Sequence, residues 1–223
     1  MKQQAVIIVA GGVGERAGAG IPKQFVSINN KPIICYSIEK FLQFNTDIKI
    51  ILVVHKDFQD MLKEILKQFF PDYQFEITVG GNTRFQSVKN GLMVLKDLGF
   101  FGIVAIHDAA RPFISEKLIE RCFSKATQCE SAIPIIPVTD SIRLKIGKST
   151  KQINRDDVVI VQTPQCFEFN ILYRAFQTEY QPLFTDEATV LEHFGKEIHI
   201  VEGEKNNFKI TNPIDFEIAK LLF

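Results

Sequence analysis

The sequence contains no tryptophan, only three methionines, and only four cysteines in 223 residues. No two cysteines form a CxxC pair, so they are interpreted as reduced, partly buried thiols rather than metal ligands or disulfide partners. The four histidines are scattered along the chain without metal-ligand spacing. No Ser-His-Asp or Cys-His arrangement occurs in a convincing local context. These absences argue against a zinc site, a disulfide scaffold and a hydrolase of the triad type.

The chain also lacks a net charge and a long apolar run. Twenty-six basic residues balance 26 acidic ones, which argues against nucleic acid or an anionic membrane as the main partner. No apolar run approaches the length of a membrane span, and the apolar N-terminal stretch is too short for a signal peptide. The hydrophobic fraction is 46%, as in ordinary globular proteins. We therefore expect a cytoplasmic protein that binds neither membranes nor nucleic acids.

Strand and helix patterns alternate along the chain. Apolar strands separated by amphipathic helices indicate a mostly parallel sheet covered by helices on both faces. The sequence thus predicts a single Rossmann-like α/β domain over residues 1–223. Two prolines, Pro134 and Pro137, place their strand at an edge or a bend. Strands are predicted at 5–10, 48–54, 75–79, 102–106, 131–138, 158–161, 198–201 and 208–210, and helices at 32–44, 58–70, 83–98, 115–127 and from Asn212-Pro213 onwards.

A polar segment interrupts this alternation in the second half. Residues 140–157 hold five basic residues between two strand-like runs and are too polar for a core. We expect a protruding β-arm at about 138–158, with a flexible surface loop as the alternative.

The most informative segment is the loop of residues 11–23, which follows the first predicted strand. It contains five glycines together with Arg16 and Lys23. Such a loop can wrap backbone N–H groups around a polyphosphate and add two cations. The segment 12–17 also fits a dinucleotide fingerprint, but later glycines and Pro22 would break the required helix, and no acid follows at the required distance. The segment 147–150 ends like a P-loop but lacks its first glycine.

Two other polar segments follow predicted strands, and the carboxyl ends of parallel strands form one edge of the sheet. Gly80-Gly81-Asn82-Thr83-Arg84 follows the third strand, and His107-Asp108-Ala109-Ala110-Arg111-Pro112 follows the fourth. We therefore expect these segments to meet the glycine-rich loop. Asp108 suits Mg²⁺ held together with substrate phosphates, with a turn cap as the alternative. We interpret His107 as a hydrogen-bonding strand-end residue rather than a catalytic one.

These segments carry a family resemblance. Gly11-Gly12-Val13-Gly14-Glu15-Arg16 with Pro22-Lys23-Gln24-Phe25 resembles the nucleotide-binding signature of sugar-phosphate nucleotidyltransferases. Residues 107–112 with Thr185-Asp186-Glu187-Ala188 resemble, among them, the 2-C-methyl-D-erythritol 4-phosphate cytidylyltransferases of non-mevalonate isoprenoid biosynthesis. The resemblance extends from residue 5 to the last helix. It departs at Val9-Ala10-Gly11-Gly12, where many relatives have Pro-Ala-Ala-Gly, and at Ser141-Ile142-Arg143, where Thr-x-Lys is common.

The resemblance implies a reaction between CTP and a polyol phosphate that releases pyrophosphate, with Mg²⁺ as cofactor. It also implies a homodimer in which the arm carries Arg155 towards the partner's site. The implied catalytic residues are Arg16, Lys23, Arg155 and Lys209. The implied nucleotide-binding residues are Ala10, Gly11, Gly12, Gly14, Gly80, Gly81, Asn82, Ser87, Asp108 and Ala109. The implied substrate-binding residues are Ser141, Arg155, Thr163 and Thr185.

Two alternatives stay open at this point. The ribitol-5-phosphate cytidylyltransferases share the glycine-rich loop and the Pro-Lys-Gln-Phe run, but they resemble this chain less at Ala109-Ala110 and at 185–188. A nucleotide sensor without catalytic activity would not need to keep Arg16, Lys23, Asp108 and Lys209 together. The implied nucleophile is a phosphate monoester that is largely dianionic at neutral pH, so no general base is required.

Overall fold

The computed structural model describes residues 2–12 and 21–223. Strands and helices alternate through the first half of this part, as the apolar patterns predict. The elements are β1 (Gln3–Ala10), β2 (Ser27–Ile28), β3 (Lys31–Pro32), α1 (Ile33–Phe44), β4 (Lys49–Val54), α2 (Gln59–Phe69), β5 (Glu76–Val79), α3 (Arg84–Asp97), β6 (Gly102–Asp108) and α4 (Glu116–Cys129).

The second half is less regular, and several of its elements have no counterpart in the predictions. Residues 165–193 form one strand and two short helices that no sequence pattern indicated, while the strand predicted at 208–210 is absent. The elements are β7 (Ser131–Pro137), β8 (Arg143–Ile146), β9 (Ser149–Gln152), β10 (Val159–Val161), β11 (Gln165–Glu168), α5 (Phe169–Ala175), α6 (Glu187–His193), β12 (Ile200–Glu202) and α7 (Pro213–Leu222).

Eight strands of the described chain form the central sheet. Strands β5, β4, β1 and β6 lie side by side and pair in parallel. Strand β11 is antiparallel to β6, and β7 is antiparallel to β11 and β10 but parallel to β12. The prediction of a mostly parallel sheet in one α/β domain is confirmed.

The sheet is apolar on both faces because helices cover both. Val6 and Ile8 of β1 pack in one cluster with buried residues of α1, α2 and α4. Ala5 and Ile7 point the other way and pack with buried residues of α3, α5 and α6. Side chains of a strand alternate between faces, so a strand buried on both sides is apolar throughout. This packing explains why the predicted strands lack a polar alternation.

The prolines of β7 predict an edge or a bend, and of these two the edge position is wrong. Strand β7 has partners on both sides, since Ile133 N donates to His199 O on the β12 side while Gln162 N donates to Pro134 O on the other. Adjacent residues of a strand direct their backbone groups to opposite neighbours. The bonds on the β12 side use Ile133 N and Ile135 O, so the missing N–H of Pro134 lies on the other side, next to Gln162.

The polar segment forms a hairpin, not a flexible loop. Strands β8 and β9 pair only with each other, and all of their residues are exposed. Separately, none of the helices in residues 2–12 and 21–223 combines the length and apolar character needed to cross a bilayer.

Candidate active site

A cleft of about 600 Å³ opens at the carboxyl ends of β1, β4 and β6. The three polar segments meet there, which confirms the prediction that they share one edge of the sheet. Lysines from near the two ends of the chain join them. The cleft is lined by Val9, Ala10, Gly11, Gly12, Lys23, Gln24, His55, Gly81, Asn82, Thr83, Arg84, Ser87, Asp108, Ala109, Ala110 and Lys209.

One wall of the cleft is backbone packed too closely for side chains. A Cβ on Gly81 would lie 2.3 Å from Gln86 Cβ, and one on Gly11 would lie 3.3 Å from Ser87 Oγ. Ser87 Oγ accepts from Gly81 N at 3.1 Å and donates to Thr83 O at 3.0 Å. Gly80 lies directly behind this wall, with its own hypothetical Cβ 3.1 Å from Ser87 Oγ. This wall is suited to a flat ligand contacted by backbone groups.

Gln24 anchors the start of the glycine-rich loop. Its Nε2 donates to Ala10 O at 2.6 Å and to Gly12 O at 3.1 Å, and the side chain is buried. The Pro22-Lys23-Gln24-Phe25 motif does not by itself predict this role for Gln24. Gly14 and Arg16 lie outside the described residues, so their predicted roles stay predictions.

Both lysines are connected to the segment before α7. Lys23 Nζ donates to Ile210 O at 2.8 Å. The neighbouring Lys209 places its Nζ 2.9 Å from Asp108 Oδ2. Cations from opposite ends of the chain therefore share the cleft with one carboxylate.

Asp108 stands among three cations. Lys209 Nζ is 2.9 Å from its carboxylate, and nitrogens of Arg84 and Arg111 are each 3.5 Å away. Burial alone would raise the pKa of Asp108, but Arg84, Lys209 and Arg111 hold it well below its ordinary value. Asp108 is thus a carboxylate anion at every pH at which the protein would work.

Arg84 is shared between Asp108 and the buried Glu187. Both of its terminal nitrogens donate to Glu187, one in a short contact with Oε1 and the other to Oε2 at 3.0 Å. Burial raises the pKa of Glu187, and Arg84 opposes that effect. Burial alone would lower the pKa of Arg84, but Glu187 and Asp108 raise it above its ordinary value. Sequence analysis assigned neither residue a role.

The interpretation of His107 as a hydrogen-bonding residue at the end of a strand is confirmed. It is fully buried, with Nδ1 3.1 Å from Thr163 Oγ1 and Nε2 3.1 Å from Arg111 O. Thr163 Oγ1 accepts from Asp108 N at 3.1 Å, so its hydroxyl proton is available for Nδ1 and the imidazole donates through Nε2. This network fits a neutral ring, and burial lowers the pKa of His107 to about 4.

The predicted polyol contacts are not gathered in the cleft of one chain. The Thr163 side chain is buried in the network around His107, and Thr185 is exposed just before α6. Ser141 and Arg155 are exposed near the two ends of the hairpin segment, where Arg155 Nη1 donates to Thr139 O at 3.0 Å. None of these four residues is among the described residues that line the cleft.

The carboxylate chemistry fits a metal ion that arrives with its substrate. The described residues include no group of three or more His, Cys, Asp or Glu side chains placed to hold a metal. Asp108 is the carboxylate among the described lining residues. Mg²⁺ often takes one or two carboxylates and completes its shell with water and substrate phosphates. One carboxylate in a cleft lined by cationic side chains is compatible with that requirement.

We predict that His107 makes stability depend on pH between about 6.5 and 4. The unfolded chain protonates this histidine near pH 6.5, whereas the folded protein keeps it neutral to about pH 4. The unfolded state therefore binds more protons in this range, and the free energy of unfolding falls as the pH is lowered. The contribution of His107 to that fall is up to about 3 kcal/mol.

Urea unfolding of the wild type and of His107→Gln at pH 7 and pH 4.5 measures this contribution. The variant should be less stable at pH 7 but should lose less stability on acidification. His193→Gln, at an exposed position of α6, is the matched control for the loss of a histidine. An equal acid loss in wild type and His107→Gln would contradict the prediction.

The family model "IspD: 2-C-methyl-D-erythritol 4-phosphate cytidylyltransferase" matches residues 4–223 of this chain. The protein of that name from Bacteroides fragilis is 40% identical over 219 residues, which cover 98% of this chain and 99% of the relative. The one from Azobacteroides pseudotrichonymphae is 42% identical over 224 residues, covering 100% and 99%.

Solved structures agree with these sequence matches. The Francisella tularensis 2-C-methyl-D-erythritol 4-phosphate cytidylyltransferase (IspD) has a TM-score of 0.80 at 31% identity, and the match covers 100% of both chains. The 4-diphosphocytidyl-2C-methyl-D-erythritol synthase from Anaerococcus prevotii has a TM-score of 0.83 at 27% identity, with 99% and 98% covered. From its first strand to its last helix, this chain therefore belongs to the 2-C-methyl-D-erythritol 4-phosphate cytidylyltransferase family.

Proposed function

We propose that this protein transfers the cytidylyl group of CTP to 2-C-methyl-D-erythritol 4-phosphate, giving 4-diphosphocytidyl-2-C-methyl-D-erythritol and pyrophosphate. Family membership supports the substrates and the reaction. The observation in the structure that carries the proposal is the meeting of Lys23, Lys209 and Asp108 in one cleft with a glycine backbone wall.

The main obstacle to this reaction is electrostatic. The attacking phosphate monoester is largely dianionic at neutral pH, so it needs no base, but it must approach a triphosphate that is also highly charged. Lys23 and Lys209 lower that repulsion, because fixed cations near the reacting phosphorus need no reorganisation as charge develops. Arg16 would add a third cation from the glycine-rich loop. The cleft also holds the two reactants in line, which reduces the entropic cost of their encounter.

The nucleotide would lie along the backbone wall. Gly11, Gly81 and Ala109 leave room for the base and ribose, and Asn82 and Ser87 supply polar groups beside them. The choice of cytosine over other bases rests on the family and not on a contact in this structure.

Asp108 is the residue that would hold Mg²⁺ together with oxygens of the triphosphate. When bound, the ion supplies Lewis-acid stabilisation of the phosphate charge. Asp108 also holds Lys209 Nζ at 2.9 Å, so this lysine is already placed near the phosphates.

The hairpin provides the support for a homodimer. In the register of β8 and β9, Leu144 pairs with Lys151 and Ile146 pairs with Ser149. Leu144 and Ile146 therefore lie on the same face of the hairpin. Leu144 is 50% and Ile146 is 52% exposed, so this apolar face is not covered by its own chain. We propose that it packs on a second copy and carries Ser141 and Arg155 to the partner's cleft, where Thr163 and Thr185 would help to complete the polyol site.

All four cysteines are free thiols. Free thiols are usual in reducing compartments, and this supports the proposal that the enzyme works in the cytoplasm.

The reaction is tested with a panel of substrates. The protein is incubated with Mg²⁺, each of the four nucleoside triphosphates and either methylerythritol 4-phosphate or ribitol 5-phosphate, and pyrophosphate is measured. We expect release with CTP and methylerythritol 4-phosphate. Release with ribitol 5-phosphate alone would identify the runner-up activity, and no release with any pair would favour a nucleotide sensor.

Loss of a cleft lysine should slow turnover without unfolding the protein. We expect Lys23→Ala and Lys209→Ala each to lower kcat by at least about 10²–10³-fold, by analogy with the loss of one oxyanion donor. The matched control is Lys63→Ala, because Lys63 lies exposed on α2, where it pairs with Asp60 at 3.0 Å. Pyrophosphate release gives kcat, and circular dichroism checks the fold. A folded Lys23→Ala protein with near-normal turnover would refute the role of Lys23.

Disrupting the apolar hairpin face should separate the dimer. The double substitution Leu144→Asp/Ile146→Asp places two charges on that face, so we expect light scattering to give the mass of one chain instead of two. Lys145→Asp, on the opposite face of the hairpin, should leave the mass unchanged. A dimeric double variant, or a monomeric wild type, would reject this interface.

A further inference from the structure

Glu187 is a buried charge for which the proposed function has no use. It is the first residue of α6, its side chain is 1% exposed, and it is not among the described residues that line the cleft. Carboxylates are almost never fully buried unless they are paired. The role of Glu187 therefore depends on the group with which it pairs.

That partner connects Glu187 to the cleft. Arg84 donates to both carboxylate oxygens of Glu187, and the nitrogen that makes the 3.0 Å bond also lies 3.5 Å from Asp108 Oδ1. The other oxygen of Asp108 is 2.9 Å from Lys209 Nζ. Charges of alternating sign thus run from the interior to the catalytic lysine, in the order Glu187, Arg84, Asp108, Lys209.

The start of α6 is itself firmly held. Asp186 caps the helix by accepting from Thr189 N at 3.0 Å. Gln165 of β11 donates to Asp186 Oδ2 at 2.9 Å and accepts from Ala188 N at 3.1 Å. Glu187 lies between these anchored residues. Its position is therefore set by β11 and α6, whereas Arg84 is a long side chain that could adopt other rotamers.

We propose that Glu187 is a positioning residue for cytidylyl transfer: it holds Arg84 in the orientation that faces Asp108, and through this pair it fixes the carboxylate that holds Lys209. This inference rests on the proposed function. With Glu187 in place, Arg84 divides its charge between two carboxylates. Without it, Arg84 would compete with Lys209 for Asp108 or turn towards the phosphates.

The net charge of this group of side chains predicts how the loss of Glu187 should affect nucleotide binding and kcat. Arg84, Arg111 and Lys209 with Asp108 and Glu187 carry a net charge of +1. Neutralising Glu187 raises that charge to +2, so an anionic nucleotide should bind at least as tightly as before. The misplaced cation should instead slow the chemical step. A residue that only supports the fold would not give lower kcat with unweakened CTP binding.

The first experiment compares Glu187→Gln with Glu192→Gln, an exposed position on the same helix. We expect Glu187→Gln to lower kcat about 10- to 100-fold, the range seen when a partner behind a directly acting group is removed. Calorimetric titration with Mg²⁺ and CTP should show binding no weaker than in the wild type. Glu192→Gln should match the wild type in both measurements. Wild-type kcat per folded molecule in Glu187→Gln would overturn the proposal.

A double-mutant cycle tests the route through Arg84. Because both residues act as one unit, Arg84→Gln/Glu187→Gln should turn over no more slowly than Arg84→Gln alone. It should also melt at a higher temperature than Glu187→Gln, since it leaves no buried cation without its partner. If the loss of kcat in the double variant equalled the product of the losses in the two single variants, the proposal would be overturned.

If Glu187→Gln does not fold, the proposal is tested with Glu187→Asp instead. It keeps the charge but withdraws the carboxylate by one methylene, so we expect a folded protein with reduced kcat, and full turnover would overturn the proposal. A wild-type protein that releases no pyrophosphate from any substrate pair rejects the proposed function instead. The melting temperatures of the cycle report the Arg84–Glu187 pairing independently of that result.

Discussion

Three cations meet on the carboxylate of Asp108, and the rest of the cleft is organised around this contact. Asp108 ends the buried strand β6, while Arg84 begins α3 and Lys209 precedes α7, so the contact joins three elements distant in sequence. Gathering cations without a substrate is costly because they repel one another. One buried carboxylate offsets that repulsion and keeps the cations in place until phosphates arrive. The site is thereby organised before the substrate binds.

The fold supports this arrangement by placing rigid elements on every side. Strands β1, β5 and β6 belong to the parallel part of the sheet and end at the same edge, so the segments that follow them meet in one cleft. Small residues leave the backbone near Gly11 and Gly81 open to a ligand. Lys23 and Lys209 are positioned through the single segment that contains Ile210. In the proposed binding mode, the phosphates would face the charged end of the cleft and the base would face its closely packed backbone wall.

Buried polar side chains behind the cleft also help to position Asp108. His107 and Thr163 hold the backbone of Asp108, and neither side chain needs to touch a ligand to matter. Glu187 acts from further inside through Arg84, in the role proposed above. Such buried polar groups raise the cost of any change because a lost partner leaves an unsatisfied group in a medium of low polarity. This cost ties the stability of the second half of the domain to the geometry of the site.

The sequence by itself determined the parallel half of the sheet, the edge where the three polar segments meet, and the hairpin. Those features follow from local patterns of apolar residues, glycines and charges, which depend only on nearby positions. Only the tertiary structure decided the antiparallel pairing around β7 and the partnership of Arg84 with Glu187, which lie 103 positions apart. Strand pairing and buried ion pairs depend on how distant segments close on each other. No local periodicity records that closure, so the sequence predicts neither the neighbours on both sides of β7 nor the pairing of Glu187 with Arg84.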